Sequence, residues 1–177
     1  MSSFENLLLL RFLETLTAKY AQPMFTNAAK DNNFNIYSAE RGAPENKGDT
    51  LEAVHPVIRT NPVTGWKSVF AVGQHAQSIH GLSEAESQHF LNWFTSLIME
   101  NHDLQVRFKW KDINDVAIWD NRSTYHAATP DYIYEKELGE RYGSRAVSVG
   151  EKPYLDPQST GRRQALYAEN HQAATAS

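Results

Sequence analysis

The chain contains no cysteine. That excludes a disulfide framework, a thiolate nucleophile and any cysteine-based metal or redox centre. It has no excess of positive charge either: 17 Lys and Arg stand against 21 Asp and Glu, for a net charge of −4. With a pI near 6.0, the balance argues against a nucleic acid or an acidic membrane surface as partner. Long apolar runs are missing. Leu7 to Leu10 is followed at once by Arg11, far too short a run to span a bilayer. The start also lacks the basic stretch and small-residue cleavage site of a signal peptide. No internal repeat and no low-complexity segment appears. These absences predict a cytoplasmic protein with neither nucleic-acid nor membrane partners.

What is present fits one domain. A chain of 177 residues is long enough for a real core, with hydrophobic residues at 41% and aromatics at 11%. Apolar spacing predicts a helix over Phe4 to Tyr20. Gln22 to Thr50 is polar and reads as a long loop. Val54 to Thr60 and Trp66 to Val72 read as strands, joined by the turn chemistry of Asn61-Pro62-Val63-Thr64-Gly65. Ser83 and Glu86 form a capping box that opens a helix running to about Glu100, with Phe90, Phe94, Leu97 and Ile98 on one face. Gln105 to Trp110, Val116 to Trp119 and Arg145 to Val149 read as further strands. Ala165 to Ser177 reads as a disordered tail after a domain spanning residues 1–164. Short antiparallel strands with two flanking helices fit a mainly β fold, a partial jelly roll.

The richest stretch is Asn114-Asp115-Val116-Ala117-Ile118-Trp119-Asp120-Asn121-Arg122, followed by Ser123-Thr124-Tyr125-His126. It reads as a strand entering a tight polar turn that delivers His126. Trp119 is expected in the core, and Asp120 is expected to hydrogen-bond the turn. Arg141 and Arg145 follow. A strand-end histidine offers a neutral nitrogen ligand, and a guanidinium offers a fixed fork for a carboxylate or sulfonate. The plainer readings are a hydrogen-bonded histidine and solvated arginines. Arg141 stands at helical spacing from Glu137, as a surface ion pair would.

This segment resembles the C-terminal signature of the taurine dioxygenase-like family, the Fe(II)- and 2-oxoglutarate-dependent oxygenases. The family's second histidine sits in a "WDNR…H-x-A…DY" context, as at Trp119 to Tyr132. Two arginines and a "G-[DE]-[KR]-P" motif follow, here Gly150-Glu151-Lys152-Pro153. Upstream, His55-Pro56-Val57-Ile58-Arg59-Thr60-Asn61-Pro62-Val63-Thr64-Gly65 resembles the family's hairpin. The likeness covers roughly Leu10 to Arg163 and is nearest the fungal sulfonate branch. It implies a double-stranded β-helix, with His126 as a metal ligand, Arg141 on the distal carboxylate of 2-oxoglutarate and Arg145 on a small anionic substrate. The implied chemistry is hydroxylation of a substrate C–H bond coupled to decarboxylation of 2-oxoglutarate. His55 and Arg59 are expected to be structural.

The family's metal site also needs its first histidine and a carboxylate, carried as His-x-Asp or His-x-Glu. None of the seven histidines here has an acidic residue two positions on. The chain therefore resembles the C-terminal half of such an enzyme, expected to hold Fe(II) poorly and to be inactive alone. Three other readings stand beside this one. The chain could be a truncated non-catalytic remnant or a small-anion binding module. It could also be one partner of an assembly, a homo-oligomer or a pair with a second chain that supplies the ligand pair and covers open sheet edges.

Overall fold

The computed structural model describes residues 7–44, 46–48, 51–134, 137 and 142–175. Among the described residues the regular elements are four α-helices, two short 3-10 turns and five strands. α1 (Leu7–Glu14) presents Leu13 to the core, where that side chain is fully buried. The helix ends earlier than apolar spacing predicts. Thr15 breaks it by donating its hydroxyl back to the Phe12 carbonyl at 2.7 Å. The residues beyond, Thr17–Ala21, form β1, the central strand of a sheet ordered β2-β1-β5. β2 (Glu52–Pro56) and β5 (Ala76–Ile79) flank it antiparallel. Ala18 lies opposite His55 on one side and Ile79 on the other. Pairing on both edges outweighs the local helix signal, since a central strand satisfies all its backbone groups.

The segment after β1 is more ordered than its polarity predicts. α2 (Pro23–Asp31) opens with proline in its first turn, where the missing N–H costs nothing. The expected hairpin is present as β3 (Ile58–Thr60) and β4 (Lys67–Val69), in register Ile58 with Val69. Asn61 Oδ1 builds the turn by accepting from the amides of Val63 at 2.9 Å and Thr64 at 3.3 Å. Gly65 supplies the positive φ of 69° that closes it.

α3 (Glu84–Met99) carries the complete Ser83–Glu86 capping box. It packs Leu91 and Phe94 into a core with Leu13, Ala18, Val57, Ile58 and Ile79. Buried Ser87 on this helix accepts from the Ile79 amide at 2.7 Å, fastening α3 to β5. α4 (Arg162–Thr175) covers the segment whose composition reads as a tail.

Among the described residues the fold is mixed α and β: antiparallel sheets and helices are present as expected, with a larger helical share, and no closed jelly roll forms. Gln105 to Trp110, Val116 to Trp119 and Arg145 to Val149 form no strand. Alternation of apolar residues marks a strand's faces but does not provide the neighbouring edge that a ladder needs. Among the described residues no such edge lies beside them, and Val106 and Ile118 are each 92% exposed.

Candidate active site

Because no ladder holds the segment carrying His126, side-chain contacts do. The Asp120 carboxylate closes the turn: Oδ1 accepts from the Arg122 amide at 2.9 Å, and the Arg122 Nε–H lies 2.9 and 3.0 Å from the two oxygens. Those hydrogen bonds hold the Asp120 carboxyl below the usual carboxylate range. The Asp120 carbonyl accepts from Ser123 at 3.2 Å and Thr124 at 3.0 Å. Trp119 donates its indole N–H to Asn121 Oδ1 at 2.8 Å.

Trp119 is not a core residue as expected. It is 38% exposed, and its ring lies 4.7 Å from that of His126. His126 itself is exposed.

A second set of contacts ties this limb to the β3–β4 hairpin. Arg59, on β3, is only 4% exposed and stacks over Phe70 at 4.8 Å. It donates Nη2–H to Glu151 Oε1, and Arg122 donates Nη1–H to Glu151 Oε2 at 3.1 Å. Desolvation pushes the Glu151 carboxyl up, but its backbone hydrogen bond, the Arg122 hydrogen bond and the charges of Arg59 and Arg122 outweigh it and hold it low. Tyr125 reaches the Val69 and Phe70 carbonyls with its hydroxyl, each at 3.4 Å. Desolvation of that hydroxyl pushes its pKa up to about 12. His55 packs against Tyr20 and Phe70. Burial, then the charges of Lys152 and Arg59, push its pKa down. The structural roles expected of His55 and Arg59 are thus visible. The pairing of Arg59 with Glu151, a residue far along the chain, has no local sequence signal beyond an arginine set among the apolar residues of a strand.

Arg145 lies exposed, five residues ahead of Gly150. Downstream of it, Val149 packs so closely on Gly42 that a Cβ there would collide with Val149 Cγ2. Arg141 lies outside the described residues. Among the described residues no hydrogen bond, ion pair or ring contact joins His126 to Arg145.

The test of fit for Fe(II) is the donor set. Among the described residues no three His, Cys, Asp or Glu side chains converge as a metal would need. One exposed imidazole does not hold a divalent ion in water. The described residues do not fit the metal. Nor, among the described residues, is any helix long and apolar enough to cross a membrane.

Comparison with known proteins gives the arrangement its context. Residues 10–147 match the model of the taurine catabolism dioxygenase TauD, TfdA family. An alpha-ketoglutarate-dependent dioxygenase of Neocamarosporium betae, btcD, is 57% identical over 155 residues, 88% of this chain and 44% of that protein. An alpha-ketoglutarate-dependent dioxygenase of Penicillium shearii, esdpJ, is 49% identical over 88% of this chain and 41% of its own length. An alpha-ketoglutarate-dependent sulfonate dioxygenase of Saccharomyces cerevisiae is 34% identical over 58% of this chain and 24% of its own length. The chain thus spans less than half the length of these relatives. On the strength of the family match, the chain belongs to the TauD, TfdA family of dioxygenases.

Proposed function

We propose that this chain carries the anion-gripping part of a 2-oxoglutarate-dependent dioxygenase that hydroxylates a small anionic substrate such as an alkyl sulfonate. His126 is one Fe(II) ligand in this reading. Arg141 receives the distal carboxylate of 2-oxoglutarate, and Arg145 receives the anionic head of the substrate. Residues 1–164 form part of the catalytic domain. The observation that carries the reading is the family match over residues 10–147. The turn at Asp120, which presents His126 beside Trp119, supports it. The guanidinium forks bind and orient oxyanions, a task that needs no metal.

That last point gives the second reading weight. With no converging metal-ligand trio among the described residues, the chain alone acts as a small-anion binding module. One experiment separates the two. Incubated with Fe(II), ascorbate, 2-oxoglutarate and an alkyl sulfonate, the chain is expected to form no succinate above the level of His126→Ala. Calorimetry without metal is expected to detect 2-oxoglutarate, weakened by Arg141→Ala, and sulfonate, weakened by Arg145→Ala. Loss of a charge-paired fork costs about 2–5 kcal/mol, or tens- to thousands-fold in affinity. Steady turnover that depends on His126 would refute the metal-free reading and restore the full enzyme. If both variants weaken the same ligand equally, the division of labour is wrong.

A further inference from the structure

His126 and Arg145 both stand on segments that no ladder holds. A single carboxylate ties both limbs to the hairpin. Arg122, four residues before His126, and Glu151, six residues after Arg145, meet at Glu151 Oε2. The other oxygen of the same carboxylate is held by Arg59 on β3. We propose that Glu151 is a positioning residue: by bridging Arg59 and Arg122 it sets where the His126 limb stands relative to the Arg145 limb. The inference rests on the functional reading above only for what the two limbs carry.

Three features argue for a bridge rather than incidental surface pairing. First, Arg59 is 4% exposed, so its charge needs a counter-ion at a fixed place. Second, a guanidinium is a planar fork, and a carboxylate held between two forks has little freedom to rotate. Third, Arg122 is gripped along its length. Asp120 holds its Nε–H at 2.9 and 3.0 Å, while its Nη1–H reaches Glu151. The four groups, two cations and two carboxylates, balance in charge. Removing Glu151 leaves the buried Arg59 cation without its partner and cuts the joint between the limbs.

The test uses the absence of cysteine. Ala127→Cys with Ala146→Cys places two nitroxide labels, one on each limb, and double electron–electron resonance reads the distance between them. The labelled parent is expected to give one narrow population. Glu151→Gln, which keeps the shape and removes the charge, is expected to lose it to a broad distribution while circular dichroism stays unchanged. Arg122→Gln is expected to do the same. The double variant should be no broader than either single one, because both cut the same bridge. Lys67→Gln, which breaks the ion pair with Glu14 elsewhere, should leave the narrow population intact. A folded Glu151→Gln with an unchanged distribution overturns the proposal, as does a parent that is broad from the start. Should Glu151→Gln fail to fold, Arg122→Gln leaves Arg59 paired and carries the test alone, with an unchanged distribution again overturning it. Calorimetry on the same samples keeps the two questions apart. A parent that binds neither 2-oxoglutarate nor an alkyl sulfonate, yet loses its narrow population on Glu151→Gln, sinks the functional reading and supports the bridge.

Discussion

Single side chains here do their structural work through charge and burial. His55 shows this most directly, with its ring between Tyr20 and Phe70. Burial lowers its pKa in the fold from the ordinary 6.5. The unfolded chain therefore binds a proton at a pH where the folded chain does not, and stability rises with pH across that interval. The contribution is complete above about pH 6.5 and is lost as the pH falls towards the lower folded value. Denaturant titrations at about pH 7.5 and pH 5.5 should show the midpoint falling on acidification. His55→Gln should flatten that part of the dependence. An equal slope in parent and variant would place the titrating group elsewhere. Residue-scale reading of the sequence reached this histidine but not its environment. His-Pro-Val-Ile-Arg marks a strand, while the aromatic rings and Lys152 that shift the imidazole come from other parts of the chain.

At the scale of the element, α3 is the best-defined unit and the one most legible beforehand. Ser83 and Glu86 satisfy each other's backbone amides, a reciprocal pair read from spacing alone. Ser83→Ala removes one acceptor and is expected to cost about 1 kcal/mol of stability, measurable by denaturant unfolding. A change indistinguishable from zero would mean that the helix start is set by Ser87 and β5 instead. β1 and α2 show the opposite case. The Thr-Ala-Lys-Tyr-Ala sequence of β1 continues an apolar helical spacing, and only its pairing with β2 and β5 makes it a strand. α2 is hidden in a polar stretch, where the one signal is a proline at the first turn.

For the molecule as a whole, the core of α1, the two sheets and α3 contrasts with residues 105–129, which carry no helix or strand. Val106, Ile113 and Ile118 are nearly fully exposed there. Exposed apolar side chains bind hydrophobic dyes and favour association where they gather. Native chain is expected to enhance the fluorescence of an anilinonaphthalene dye. The double change Val106→Lys and Ile118→Lys should lower that enhancement while leaving the denaturation midpoint within about 0.5 kcal/mol, as surface changes do. A large fall in the midpoint would show that these residues are packed in solution.

The sequence by itself determined what depends on neighbours along the chain. The Asn61–Gly65 turn, the capping box of α3 and the Asp120 turn before His126 all follow from residues within a few positions of one another, because their hydrogen bonds close locally. The family likeness was legible for a related reason, since its motifs are contiguous runs. Tertiary structure alone decided which extended runs became strands. A ladder needs an edge supplied from elsewhere: β1 found two, and the alternating run at Gln105 to Trp110 found none among the described residues. It also decided that Glu151 meets both Arg59 and Arg122. Local spacing does not encode a contact between charges so far apart in the chain. The folded core fixes it, because a buried guanidinium must have an anion within reach.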